Sequence, residues 1–198
     1  MNHTTLKLRM TRKIILLSSF FLLSNFQLML GSQPLEYEIV PFDYADVDMR
    51  EQLCDMVDND PQLADLLHFT EESSMRDYLS GPDLEFKTQL LVCRSTDGTS
   101  TIYGFIMCSM HEVFMQFESV GVVNCIAVGK EFRGHGIAQA LLHAFETMCS
   151  NNCIAQLLLY VAKNNDKAIR SYQFNGFSIT EDFIDEANDE IPMIKLLN

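Results

Sequence analysis

The stretch that most constrains this chain is Ser119 to Met148. It begins with an apolar run, Val120 to Val128, that is short, rich in β-branched residues and uncharged, so it reads as a strand buried on both faces. It continues through Gly129-Lys130-Glu131-Phe132-Arg133 into Gly134-His135-Gly136-Ile137-Ala138, and a helix is expected from Gln139 to Met148. Two glycines one residue apart at a helix opening let the backbone curl with free N–H groups pointing into the curl. Those donors and the positive end of the helix dipole both favour an anion, so the turn is built like a phosphate site. Taken alone, such a glycine pair serves equally well to shape a tight strand-to-helix turn. A dinucleotide fingerprint would need Gly or Ala where Gln139 stands, and it is set aside.

Arg133 to Ala138 fits the frame R-x-x-G-x-A directly after a strand. Further on, Leu157 to Val161 reads as a second buried strand. Asn165, Ala168, Tyr172 and Gly176-Phe177 follow it in the pattern N-x-x-A-x-x-x-Y-x-x-x-G-F. The first frame resembles the pyrophosphate-binding motif of the GNAT N-acetyltransferase superfamily. The second resembles that family's fourth helix and the strand after it. Two motifs in the right order and spacing are far more specific than either alone, and the resemblance covers residues 35–198. It implies an α+β fold, an α/β/α sandwich around a mixed, mostly antiparallel sheet with a splayed strand pair at the acetyl-CoA site.

The same resemblance implies acetyl transfer from acetyl-CoA, as co-substrate, to a primary amine that attacks the thioester directly, with binding doing most of the work. Backbone groups of Cys125, Ile126, Ala127 and Val128 would pair with the pantetheine arm like an added strand, and one N–H there would polarise the thioester carbonyl. Amides of Gly134, His135, Gly136, Ile137 and Ala138 would hold the pyrophosphate, with Arg133 adding charge. Tyr172 matches the position whose hydroxyl protonates the departing thiolate, and Asn165 matches a contact to the cofactor arm. On pattern alone each has a plainer reading: a packed aromatic, a surface arginine, a solvated histidine.

The general base is where this chain departs from the pattern. Family members that acetylate lysine side chains often carry a Glu on the central strand, and Val120 to Val123 holds no carboxylate. Glu118 and His111 are the nearest substitutes. At pH 7 an amine of pKa about 10.4 costs roughly 4.6 kcal/mol to deprotonate, and one near 7.7 only about 1. A weak or water-relayed base therefore favours an α-amine or another amine of low pKa.

The N-terminus points elsewhere. Lys7, Arg9, Arg12 and Lys13 precede an apolar run, Ile14 to Leu30, and the next charge is Glu36. This is the layout of a signal peptide or an N-terminal anchor over residues 1–32, followed by the acetyltransferase-like domain over 33–198. Seventeen residues span about 25 Å as a helix against about 30 Å of bilayer, and no good cleavage site follows. A basic flank left inside sends the domain out of the cytosol, toward export or membrane anchoring, whereas acetyl-CoA is cytosolic. A start mis-assigned upstream of Met29 would restore a cytoplasmic domain. Export also motivates a second reading, a non-catalytic exported or anchored binding module of the same fold.

Of the 14 cations, four lie before residue 33, where there is no acid, which leaves 10 against 27 acids in the remainder. So acidic a domain excludes nucleic acid as partner and suits a cationic acceptor, a small molecule or peptide bearing an amine. The acids in 185–190, with Asp43, Asp46 and Asp48, are expected to wall an acidic mouth or else to form a solvated loop. Six cysteines form no C-x-x-C and no metal spacing. Cys93, Cys108 and Cys125 read as core residues, while Cys149 and Cys153 are close enough in sequence to pair if exported. Strands are further expected at 36–42, 88–94, 101–113, 177–184 and 191–196, and helices at 45–57 and from Asp60-Pro61, where Asp caps and Pro opens.

Overall fold

A computed structural model of the chain describes residues 35–61, 63, 75–80, 88–114, 117–181 and 189–197. The expected signal or anchor segment lies outside the described residues, as do Asp185 and Glu186 of the acidic loop. Among the described residues seven strands form one sheet: Tyr37–Pro41 (β1), Thr88–Ser95 (β2), Ile102–Phe114 (β3), Phe117–Val128 (β4), Gln156–Ala162 (β5), Ser178–Ile179 (β6) and Glu190–Leu196 (β7). Their order is β1-β2-β3-β4-β5-β7-β6. The β4–β5 pair is parallel, and every other neighbouring pair is antiparallel. This is the mixed, mostly antiparallel α+β sheet expected from the sequence.

The helices are Val47–Asp58 (α1), Met75–Ser80 (α2), Ile137–Asn151 (α3) and Asp166–Phe174 (α4). Asp46 caps α1 by accepting a 2.9 Å hydrogen bond from the Met49 amide, and Met49, Leu53 and Val57 recur at i, i+4, i+8 to make its buried stripe. In α3 the buried stripe is Ile137, Leu141, Leu142, Phe145 and Cys149. That helix begins two residues before the expected Gln139, because Gly136 at φ +78° closes the turn itself and needs no side-chain cap.

Strand alternation sends the two faces to two cores. On β2, Leu91 and Cys93 join Ile106, Cys108, Leu157, Leu159 and the α3 stripe. Leu90 and Val92 join Phe105, Met107 and the buried faces of α1 and α2. The sheet is thus sandwiched, with α3 on one side and α1–α2 on the other. The strand expected from Phe177 is shorter among the described residues: Phe177 is buried in the α3-side core and only Ser178 and Ile179 pair, with Ile194 and Met193.

Candidate active site

The parallel pairing of β4 with β5 is brief. It runs from Val120–Gln156 to Val123–Leu159 and stops, while β4 continues to Val128 and β5 to Ala162 along its other neighbour, β7. The stop has a local cause in the register with β3. Cys108 pairs with Val123 but Met107 pairs with Cys125, so Asn124 is an extra residue in β4. Such a bulge bends its strand and inverts the alternation beyond it. Val123 faces the α3-side core, yet Cys125 and Ala127 face α1 and α2 while Ile126 and Val128 pack on the α3 side. Among the described residues the edge of β4 over 124–128 faces no strand. Because β4 and β5 are parallel, both carboxyl ends open at this same gap, where ligands of open α/β sheets bind. The splayed pair of the expected fold is therefore present, and Cys125, Ile126, Ala127 and Val128 line one side of it.

The loop expected to bind phosphate continues directly from that strand. A 3-10 turn, Lys130–Phe132, is fixed by the Phe132 ring against Tyr103 (centroids 4.4 Å apart) and by the Gly129 amide on the Tyr103 carbonyl at 2.9 Å. Gly134 and Gly136 hold φ of +83° and +78°, left-handed conformations that a side chain resists. A Cβ at either position would meet nothing within 4 Å, so the concavity is open space. The first amides of α3, starting at Ile137 and Ala138, have no partner within their helix and no side-chain cap. His135 Nδ1 lies 3.2 and 3.1 Å from the carbonyls of Phe132 and Arg133, and as an N–H donor it braces the curl from behind. An open cradle of amides at a helix N-terminus is what a pyrophosphate fits.

Arg133 is placed differently from the reading that put its charge on the phosphates. Its Nε donates to the Val128 carbonyl at 3.1 Å, and a terminal nitrogen meets Asp60 Oδ2 at 2.6 Å. Asn165 caps α4, its Oδ1 accepting from the Ala168 amide at 3.1 Å. The oxygen is thus committed to the helix that follows β5.

Tyr172 on α4 packs against the α3-side core and edge-on to Phe177, centroids 5.9 Å apart. Burial pushes its hydroxyl up to about 12, and the nearby Cys125 thiol adds to the rise. α4 follows β5 directly, the Asn165 amide donating to the Ala162 carbonyl at 2.9 Å, so Tyr172 is carried on the helix that leaves the carboxyl end of β5. Burial likewise lifts Cys125 to about 12, which leaves its thiol protonated and inert at neutral pH. From the other face, Tyr78 of α2 is raised by burial and in part by Cys125.

Asn124 and Asp60 were not apparent from the sequence as residues that shape the strand edge and the loop. On the same side, buried Ser109 donates to Asn124 Oδ1 at 3.2 Å and lies 2.9 Å from His111 Nε2. His111, one of the two bases considered, is therefore linked by hydrogen bonds to the bulge; the Glu118 side chain lies outside the described residues. Asp43 and Asp46 accept amides at the start of α1, and Asp189 pairs with Lys163 at 3.6 Å. A cavity of about 230 Å³ lined by Arg50, Glu51, Cys54, Arg76 and Leu79 includes none of these residues and lies between α1 and α2. All six cysteines are free, with Cys149 buried and Cys153 exposed. Among the described residues no group of His, Cys, Asp and Glu is arranged to hold a metal.

Residues 51–177 match the acetyltransferase (GNAT) family. No curated protein sequence matches the chain. Solved structures of the same fold include one of the NatC complex bound to Gag peptide and CoA, 20% identical, with TM-score 0.59 over 83% of this chain and 100% of that one. A GNAT acetyltransferase from Staphylococcus aureus is 15% identical, with TM-score 0.61 over 82% and 99%. The PaiA N-acetyltransferase of Thermoplasma acidophilum in complex with coenzyme A is 18% identical, with TM-score 0.61 over 82% and 99%.

Proposed function

The chain belongs to the acetyltransferase (GNAT) family, and from that premise we propose that it moves the acetyl group of acetyl-CoA to a primary amine by direct attack of the amine on the thioester. The observation that carries this reading is the meeting, at the carboxyl end of β4, of an open strand edge and an open amide cradle, with α4 and its Tyr172 leaving the parallel neighbour β5 at the same end. Acetyl-CoA supplies the activated acyl group. The protein's own share is to align and to stabilise charge.

Gly134 to Ala138 would bind the pyrophosphate through backbone N–H groups, and the free edge of Cys125 to Val128 would hold the pantetheine arm. Tyr172 would donate a hydrogen bond to the sulfur as negative charge develops there. With its pKa near 12 it stays a donor at any physiological pH. Complete transfer to a thiolate of ordinary pKa about 8.5 is uphill by several kcal/mol, on the order of 5, so the proton that finally rests on sulfur comes from the attacking nitrogen. Asn165 would hold the start of α4, and with it Tyr172, in place.

The acceptor we propose is an amine of low pKa, an α-amine of a peptide or small molecule. The β4 segment Val120–Val123 carries no carboxylate, and of the two substitutes for a base His111 is tied through Ser109 to Asn124. The excess of acid over base favours a cationic acceptor. Release of the CoA thiol from acetyl-CoA, followed with a panel of α-amino and ε-amino peptides, tests this. Release with α-amines in preference to ε-amines supports it, and release with neither overturns it.

A further inference from the structure

We infer that Asp60 is a positioning residue for the phosphate loop and that Arg133 is the latch between them, not a ligand to phosphate. The inference rests on the acetyl-CoA reading above. Asp60 follows α1 by two residues and lies 73 positions before Arg133, yet the two meet at 2.6 Å. Asp60 is 5% exposed, and a carboxylate that deeply buried is destabilising unless cations come to it. Both that do come from the loop. Arg133 supplies a charge-assisted hydrogen bond to Oδ2, and the Lys130 ammonium stands 3.8 Å from Oδ1 while also reaching the Asn59 carbonyl at 3.4 Å.

The same guanidinium donates Nε to the carbonyl of Val128, the last residue of β4. One side chain therefore ties the end of the splayed strand and the first residue of the loop to the segment that leaves α1. With Nε on the Val128 carbonyl and a terminal nitrogen on Asp60, two of the three guanidinium nitrogens are already committed to protein acceptors. Oδ1 is buried without a hydrogen bond among the described residues. An ion pair kept only for stability gains little from an orphaned acceptor, whereas one kept for geometry needs only its single well-aimed bond. Loosening the latch lowers the fraction of loops in the CoA-competent shape, and affinity falls in proportion.

The test is calorimetric titration of CoA into the folded full-length protein and its Asp60→Asn, Arg133→Gln and double variants, with hydrogen exchange of the Gly134–Ala138 amides alongside. If the competent fraction falls to about one in ten, each single variant raises the dissociation constant about tenfold and the double variant no further. The kcat at saturating acetyl-CoA stays unchanged, because neither residue reaches the reacting atoms. Tighter binding in Asp60→Asn overturns the inference, since it means that Asp60 restrains a phosphate ligand. Lower thermal stability with unchanged affinity in both variants also overturns it, leaving an ordinary stabilising ion pair. Should Asp60→Asn not fold, Arg133→Gln carries the test, its side chain being 46% exposed. If the parent protein binds no CoA, the acetyl-CoA reading fails and the latch is judged by exchange alone. Faster exchange at Gly134–Ala138 in both variants sustains the latch, and unchanged exchange rejects it.

Discussion

Val123 and Leu159 are the last residues at which β4 and β5 pair, and one residue later Asn124 stands in β4 without a counterpart on β3. The gap that follows is fixed by the register of the sheet rather than by mobile loops. The strand edge, the glycine loop and α4 are all set around it by covalent continuity: β4 runs into the loop, and β5 runs into α4.

Gly134→Ala separates backbone strain from ligand exclusion. Its φ of +83° makes alanine cost about 1–2 kcal/mol in stability. Gly98, in the β2–β3 turn at φ +94°, also has nothing within 4 Å of a Cβ and is the matched control. Chemical denaturation should show similar losses for the two alanine variants, while titration shows CoA binding weakened more than tenfold at 134 and unchanged at 98.

Gly121→Ala should act on the fold alone. An added Cβ would lie 2.6 Å from Cys149 Sγ, 2.7 Å from Leu157 Cδ2 and 3.0 Å from Phe145 Cζ. Overpacking of that kind destabilises by about 1–3 kcal/mol. Urea unfolding should register it, with the affinity of the folded protein for CoA retained.

Tyr172→Phe keeps the contact with Phe177 and removes the hydroxyl. Loss of a positioned hydrogen-bond donor to the developing thiolate lowers kcat by about 10²–10³-fold, and the KM for acetyl-CoA should hold within about threefold. Since burial raises this hydroxyl to about 12, the parent enzyme should show no alkaline limb from Tyr172 below about pH 10. Steady-state profiles of both proteins between pH 6 and 10 provide the check.

Buried thiols set an alkaline limit on stability. Burial raises Cys93, Cys125 and Cys149 to about 12 and Cys108 further still, from an ordinary value of 9.0. Because the folded values are the higher ones, the unfolded chain ionises first. Stability is whole below pH 9 and is lost as pH rises from there toward 12. At pH 10 each thiol has removed on the order of 1 kcal/mol, so the four together remove a sizeable part of the stability of an ordinary domain. Circular dichroism should show the folded signal retained below pH 9 and lost between pH 9 and 12. At neutral pH a thiol reagent should label Cys153 quickly and the five buried cysteines slowly.

The glycine loop and Tyr172 were legible in the sequence because their spacing is local. Arg133, Gly134 and Gly136 sit within four residues, and Asn165, Tyr172 and Phe177 fall on one helix and its exit. The bulge was not, because the run from Val120 to Val128 is apolar except at Asn124 and has no alternation to break, so one polar residue in it does not read as an extra one. Asp60 read as a helix cap before Pro61, since nothing local tells that its carboxylate meets a guanidinium 73 residues away. The start of α3 was placed two residues late for the opposite reason: Gly136 looks like a loop residue and is in fact the cap.

The central claim is that acetyl-CoA occupies the gap and the cradle, and a thermal shift of the full-length chain against its Gly136→Glu variant tests it most directly. Acetyl-CoA at 100 times its dissociation constant stabilises by about 2.7 kcal/mol, or roughly 5–10 °C for a domain of this size. The account predicts that shift in the parent and its loss in a folded variant whose carboxylate fills the cradle. No shift in the folded parent, or the same shift in both proteins, contradicts it.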